Sequence, residues 1–398
     1  MLSMSIILIV FFITLVIAIL SGLIFLIPSV PIKYIKIHLY LIVLPIIISV
    51  IGLLNVSDRE QIGPFTMDHL AWLMGSFILI LDFIIQKFSV RYLIGDRNYR
   101  KYFPLFTLIT SFASIAWLSG DLRLMVLFWG ATLLSLTLLI RVNRSWKIPY
   151  EAAKVSGKSF ALGWLSLLVA VILLYVATGN WHINVTLAND DVITSGMRFI
   201  IDMLIVLAVV VPAAQFPFQS WLIESVAAPT PVSAIMHAGI VNAGGIILTR
   251  FSPVFNDPLA ITILLIIASI SVLLGSGISL VHVDYKRQLV GSTMSQMGFM
   301  LVQCALGVYS AAIIHLILHG VFKATLFLQS GSVVKRFNIP TPPSAKRSYS
   351  WVVLGRCLAI IIAILFWLGS DRSAYEILSA LILAWSLMVS WNQMVAFS

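Results

Sequence analysis

Apolar stretches of membrane-spanning length recur along almost the whole chain, at residues 5–27, 37–54, 65–86, 103–118, 123–140, 159–178, 198–213, 231–249, 259–282, 288–308, 309–334, 351–369 and 374–396. Crossing a hydrocarbon layer of roughly 30 Å takes about 20 helical residues. Every backbone polar group in lipid must find its partner within a helix or a closed barrel. The pattern therefore predicts an all-α polytopic membrane protein of about thirteen transmembrane helices. The first stretch is too long, and too poorly flanked by basic residues, to be a cleaved signal, so it is expected to stay as a membrane helix. The longest connections, 86–102, 141–158, 179–197 and 335–350, hold no soluble domain; the last, with Pro340, Pro342 and Pro343, reads as a linker before a final helix pair.

One segment interrupts the pattern. Pro212, Pro217, Pro229 and Pro231 crowd into sequence at membrane depth, around Gln215 and Trp221. Each proline removes a backbone donor and crowds the preceding turn, so a broken helix is expected around 212–231. Broken backbone survives in a membrane only when packed in protein or lining a wet cavity. The plainer alternative is a helix end, a loop and a new helix start.

Composition fixes the class: 60% of the 398 residues are hydrophobic, 10% are charged and the mean hydropathy is +1.05. Charge adds orientation. Eighteen of the 25 Lys and Arg residues lie in alternate connections: Lys33 and Lys36; Lys87, Arg91, Arg97, Arg100 and Lys101; Arg141, Arg144, Lys147, Lys154 and Lys158; Lys286 and Arg287; Lys335, Arg336, Lys346 and Arg347. The intervening connections hold five, Arg59, Arg123, Arg198, Arg250 and Arg372. The positive-inside rule then places the N-terminus outside and the C-terminus in the cytoplasm. The net charge of +10 lies mostly on the cytoplasmic face, where either orientation with anionic lipid or an acidic partner accounts for it. Nothing in the pattern points to nucleic acid. Cys304 and Cys357 both fall in spans, with no Cys-x-x-Cys and no His/Cys cluster, so no metal, iron–sulfur or disulfide site is expected. The glycine-dense run Gly239–Gly245 follows no strand, which leaves dinucleotide binding unsupported.

Inside this apolar chain a few ionisable groups stand out. His315, His319 and Lys323 recur at four-residue steps within 309–334. A lysine near the bilayer centre costs roughly 2.5–3.5 kcal/mol on translocon scales. Four helical residues rise about 6 Å, a gap that one or two waters bridge, so the row is a candidate proton wire. The alternative is a set of packing contacts with the lysine paired to a hidden carboxylate. His237 opens a run of small residues that contains Asn242; close helix packing alone would also account for its glycines. Asp68 and His69 open the third helix, with Asp82 toward its cytoplasmic end, and Asp202 lies early in the seventh. Lys286, Gln288 and Ser292-Thr293-Met294-Ser295-Gln296 give the tenth an unusually polar start, with Lys286 at the cytoplasmic mouth of a pathway.

Two strings then carry a resemblance. Phe216-Pro217-Phe218-Gln219-Ser220-Trp221-Leu222, running on to Ala228-Pro229-Thr230-Pro231-Val232-Ser233-Ala234-Ile235-Met236-His237, is the first. The second runs from Lys286-Arg287-Gln288-Leu289-Val290-Gly291-Ser292 to His319-Gly320-Val321-Phe322-Lys323. Together they resemble the proton-antiporter-like subunits of respiratory complex I and Mrp antiporters over about residues 60–335. The resemblance implies two inverted five-helix repeats, each with a broken helix, around an axis of protonatable residues. It carries His237, Lys286, His315, His319 and Lys323 onto that axis, with Asp202, Gln215, Pro229, Pro231, Asn242 and Ser295 as supporting positions. The expected division is residues 1–102, a first repeat 103–250 and a second repeat 251–398 shortened at its C-terminus.

Two positions depart from the family. Where it has Trp followed by Glu in the fifth helix, this chain has Trp129-Gly130, and where it has a lysine before the turn of the seventh, this chain has Pro212. The acid and base of the first half-channel are both missing. The same departures, with Lys87-Phe88-Ser89-Val90-Arg91 to Asp96, Lys154-Val155-Ser156-Gly157-Lys158 and Asn242-Ala243-Gly244-Gly245, are similar to the membrane subunits (DabB) of Dab-type inorganic carbon accumulation complexes. This second resemblance implies residence in the bacterial cell membrane and a large peripheral cytoplasmic partner, DabA, bearing a zinc site. It also implies coupling of proton or Na⁺ flow to hydration of CO2 into bicarbonate. No cofactor is expected in this chain and no catalytic site; zinc would belong to the partner. Two other readings stay open: an antiporter-like subunit of a complex I-related or Mrp-type assembly, and a membrane anchor that recruits a partner through its basic face.

Overall fold

The computed structural model describes residues 3–57, 59–142, 147–188, 192–330, 349–369 and 374–397. Among the described residues, helices or helix pairs overlap each of the apolar stretches. They are α1 (Met4–Leu23), α2 (Ile35–Asn55), α3 (His69–Tyr92), α4 (Tyr99–Leu118), α5 (Leu122–Ile140), α6 (Lys147–Thr178), α8 (Ser195–Val210), the pair α10 (Thr230–Ala238) and α11 (Ala243–Phe251), α12 (Pro258–Val281), α13 (Tyr285–Ala305), α14 (Tyr309–Gln329), α15 (Tyr349–Leu368) and α16 (Ala374–Phe397). Two short helices, α7 (Ile183–Ala188) and α9 (Ser220–Glu224), lie in connections. Ten of the spans among the described residues are long and apolar enough to cross a membrane on their own. The chain is a multi-pass membrane protein.

Aspartates start the helices. Asp68 accepts from the Ala71 amide at 2.8 Å, Asp121 from Arg123 at 2.8 Å, Asp257 from Leu259 and Ala260 at 3.0 Å, and Asp284 from Arg287 at 2.9 Å. Each satisfies amides that the first turn leaves without a partner, an N-cap worth about 1 kcal/mol. Four of the fifteen acidic residues are thereby placed at helix starts.

Several expectations shift. Helix α6 begins at Lys147, so Lys147, Lys154 and Lys158 lie on a 32-residue helix instead of in a loop. Straight-chain lysines are good helix formers, and the polar stretch extends the span without a break. The connection after α3 shrinks to a few residues, and Asp82 sits mid-helix, not at an end. Before α3 the chain forms a small antiparallel hairpin, Glu60–Ile62 with Phe65–Met67, turned by Gly63 at φ 56°. Arg144, Lys335, Arg336, Lys346, Arg347, Arg372 and nearly all of the 335–350 linker lie outside the described residues.

The proline-rich segment is broken as expected, and its backbone is satisfied by side chains. Helix α8 ends at Val210; Trp221 Nε1 donates to the Val211 carbonyl at 2.9 Å, the Phe216 amide to Ser271 Oγ at 2.9 Å, and Gln215 Nε2 to the Ala213 carbonyl at 2.7 Å. This is what buried irregular backbone in lipid requires. A second break separates α10 from α11 at Gly239–Asn242, one turn after His237, where Asn242 Nδ2 donates to the Ala238 carbonyl at 2.6 Å. Both interruptions flank the same short helix.

Candidate functional site

Helix α14 presents His315, His319 and Lys323 to the protein interior beside Gly320 and Phe327. The His315 and His319 ring centroids are 6.1 Å apart, the separation that helical rise dictates. Lys323 is 1% exposed. Its ammonium donates to the Leu289 carbonyl at 3.0 Å and to Ser292 Oγ, both from the first two turns of α13. Among the described residues no carboxylate lies within ion-pair distance of it, so the hidden partner is not found. Its partners are neutral, and one is a rotatable hydroxyl. Ser292 accepts from an ammonium, and can turn to donate to a neutral amine, so both charge states have a partner.

His315 is bracketed in the same way. Its Nδ1 faces Gln303 Oε1 at 3.1 Å and its Nε2 faces Gln296 Oε1 at 2.9 Å. Two amide oxygens suit an imidazolium; rotating one amide to present its NH2 suits the neutral ring. Gln296 falls in the polar run visible in the sequence, but Gln303 was not singled out. The seven-residue spacing between them, two turns on one face, is the signal that would have found it.

Across from this row, α10 presents His237, fully buried and stacked on Phe327 with ring centroids 4.4 Å apart and 16° between planes. Neither ring nitrogen has a hydrogen-bond partner, and His319 Nε2 has none either. His237 lies within electrostatic reach of Lys323 and Lys286, and His319 within reach of Lys323, His315 and His237. Lys286, half-buried at the start of α13, donates to the Ala228 carbonyl in the broken segment at 3.3 Å. It lines a cavity of about 260 Å³ with Tyr102, Ile140, Pro149 and Pro229. The structure thus places the five residues singled out in the sequence on α10, α13 and α14, the two histidines of α14 adjacent and Lys286 at the cavity.

Supporting residues divide. Gln215 ties the break to α13 through the Met294 carbonyl at 3.3 Å, Asn242 caps the second break, Ser295 bonds Ser276 of α12 at 2.9 Å, and Pro229 and Pro231 start α10. Asp202 stands apart. It accepts from the Asn256 and Asp257 amides at 3.1 and 2.9 Å and so holds the turn into α12.

The first half-channel positions are filled by packing. A Cβ on Gly130 would lie 2.5 Å from Trp164 Nε1, and that indole donates to the Val126 carbonyl at 2.9 Å. A Cβ on Gly163 would lie 3.0 Å from the Pro212 ring. Where the resemblance implies an acid and a base, this protein has a tryptophan plug and a proline seated on a glycine. Among the described residues no group of three His, Cys, Asp or Glu side chains has metal-binding proximity.

Comparison with known proteins identifies the family. Residues 119–398 match the family described as "NADH:quinone oxidoreductase/Mrp antiporter, TM". The "Probable inorganic carbon transporter subunit DabB" of Bacillus subtilis (strain 168) is 59% identical over all of this chain and 79% of its own length. The corresponding DabB1 of Halothiobacillus neapolitanus is 34% identical over 76% of this chain and 58% of its own. The chloroplast NAD(P)H-quinone oxidoreductase subunit 5 of Nymphaea alba is 31% identical over 75% and 41%. Two solved structures share the fold: the Mrp complex of Dietzia sp. DQ12-45-1b (TM-score 0.73, 23% identity, 97% of this chain and 46% of that one) and the archaeal membrane-bound sulfane sulfur reductase (TM-score 0.74, 19% identity, 98% and 87%). The chain therefore belongs to the membrane-subunit family shared by NADH:quinone oxidoreductases and Mrp antiporters, within its inorganic carbon transporter (DabB) branch.

Proposed function

We propose that this chain is the proton-conducting membrane subunit of an inorganic carbon transporter, in which proton movement along His315, His319, Lys323, His237 and Lys286 drives hydration of CO2 to bicarbonate by a zinc-bearing cytoplasmic partner. The observation that carries the conduction step is Lys323, fully buried without a carboxylate and held by neutral groups that suit either charge state. Burying an ion with no counter-charge costs several kcal/mol, a cost relieved when the proton leaves. A proton delivered from His319 and passed to His237 changes the charge at the centre of the file in two short steps. The partnerless nitrogens of His237 and His319 are where bridging waters complete the wire, since buried imidazoles need hydrogen-bond partners. A file of bases favours protons over Na⁺, which takes oxygen ligands and negative charge.

The half-buried Lys286 and its cavity form the mouth on the face rich in Lys and Arg, where a cytoplasmic partner would meet the file. In this reading the zinc chemistry belongs to the partner. The DabB names of its relatives support the carbon branch over redox or Na⁺ exchange. Lys323→Ala should abolish growth rescue at ambient CO2 in a host lacking carbonic anhydrase, while the complex still assembles; full rescue refutes the conduction role. Purification in mild detergent should recover one large zinc protein. Recovery with a set of small hydrophobic subunits instead overturns the carbon reading.

A further inference from the structure

The second buried polar file lies away from the axis, in the first four helices. Asp82 of α3 is 1% exposed. Gln86, one turn on, donates through Nε2 to Asp82 Oδ2 at 2.9 Å and to Thr107 Oγ1 of α4 at 3.0 Å. Thr107 Oγ1 meets His38 Nε2 of α2 at 3.2 Å, and His38 Nδ1 meets Ser21 Oγ of α1 at 2.7 Å. His38, Gln86 and Thr107 are all buried. The chain of bonds starts at the ends of α1 and α2 beside Lys33, Lys36 and Arg100, whose guanidinium binds the Ile27 and Val30 carbonyls. It ends inside the bundle at Asp82 Oδ1, which has no hydrogen-bond partner.

Asp82 differs from the other buried carboxylates among the described residues. Asp121 and Asp202 are each taken up by backbone amides, and Asp121 also by Arg123. Asp82 receives an amide N–H from Gln86 and lies beside the Thr110 hydroxyl of α4, and no cation lies within ion-pair distance among the described residues. The titratable and charged groups on the elements packed against α3 are Lys36, His38 and Tyr40 on α2, Tyr99, Arg100, Lys101 and Tyr102 on α4, His237 on α10, and Tyr309, His315, His319 and Lys323 on α14. Only His38 joins Asp82 through hydrogen bonds. A bare carboxylate in such surroundings pays the full cost of an unpaired buried charge. A metal cation is not what the geometry offers, because Gln86 turns the positive end of its amide toward the carboxylate.

We propose that Asp82 is a second proton-binding site, off the axis and facing the end of the bundle that carries Lys33 and Arg100; Gln86, which donates one N–H to Asp82 and the other to Thr107, orients the carboxyl without relaying the proton, and water beside the Ser21–His38–Thr107 chain carries it between His38 and Asp82. His38, with Ser21 on one nitrogen and Thr107 on the other, is the group along this route that accepts and releases a proton; the amide of Gln86 rotates to hold Asp82 in either state. The site stands whether or not the axis conducts, since it shares no residue with it.

Hydrophobic carbodiimide tests it on the intact complex in native membranes, because the reagent attacks a protonated carboxyl in an apolar environment. Mass spectrometry of the labelled chain should find the adduct on Asp82, falling by about tenfold for each pH unit once pH exceeds the carboxyl's own pKa. Asp82→Asn, which keeps the Gln86 bond, should lose it. His38→Gln should slow labelling without removing it, while leaving labelling elsewhere unchanged. Labelling that is absent at every pH overturns the proposal, and so does labelling that ignores pH. Protection of Asp82 by Na⁺ at constant pH overturns it too, because the site then takes a metal cation.

Discussion

Gly130 offers a quantitative test of the idea that the first half-channel is plugged. An alanine there would place its Cβ 2.5 Å from Trp164 Nε1 and 2.9 Å from Cε2. Ordinary contact begins near 3.4 Å, so the indole must retreat by about 1 Å in a close-packed interior. Overpacking of this kind costs about 1–3 kcal/mol, and retreat breaks the 2.9 Å bond to the Val126 carbonyl, about 1 kcal/mol more. The gain in helix propensity from glycine to alanine, about 1 kcal/mol, offsets roughly that last amount. The net is a destabilisation of about 1–3 kcal/mol, which should lower the melting temperature of the detergent-purified complex by roughly 2–6 °C. Trp164→Phe removes the clashing nitrogen, so the double variant should be less destabilised than the sum of the singles by about 1–2 kcal/mol. Additive effects, or a neutral Gly130→Ala, would refute the plug. Gly130→Glu should be worse than Gly130→Ala and should not create a conducting site, because the acid would enter against the indole with Pro212 in place of its base.

Gly320→Ala should abolish activity while leaving Lys323 and both histidines in place, because its Cβ would lie 2.6 Å from the Ala238 carbonyl and 2.4 Å from the Phe77 ring; a backbone carbonyl cannot swing aside, so α14 must leave α10. Phe77→Leu should therefore fail to restore growth rescue, and recovery in that double variant would show that the ring alone made the clash. Lys323→Arg should assemble and yet fail in the same assay, since a guanidinium does not release its proton in proteins; measurable rescue would argue for a fixed charge. At the membrane surface, burial pushes the Asp121 carboxyl up, but the Arg123 side chain and the Arg123 and Leu124 amides outweigh burial and hold it below its ordinary value. Its contribution to stability is then complete above the unfolded value of about 4 and lost as pH falls through the lowered folded value. Arg123→Ala should shrink that acid-side loss, read as melting temperature against pH; parallel curves would contradict it.

Much of the architecture was legible because lipid imposes a simple rule: a span must be apolar for its whole length. That rule, with the prolines, located the apolar helices and the broken segment. It mislaid the start of α6, where Lys147 to Lys158 read as a loop but propagate the helix beyond the apolar stretch. Residues in one helix were equally legible: the His315, His319, Lys323 row follows from spacing alone. Residues that matter through partners were not. Gln303 and Phe327 acquire meaning only when α13 and α10 are packed against α14.

The sequence by itself determined the class, the spans and the residues that could carry a proton, because hydrophobicity and helical periodicity are local properties of the chain. Its resemblance to the family also implies an acid and a base at the positions where Gly130 and Pro212 stand. Only the tertiary structure decided what those changes made, a tryptophan plug on Gly130, because Trp164 comes from a different helix. Packing likewise decided that Lys323 has neutral partners in place of a carboxylate, and that His38 and Asp82 share one hydrogen-bonded chain. Partnership across helices depends on which faces meet, and no periodicity within a single helix encodes that.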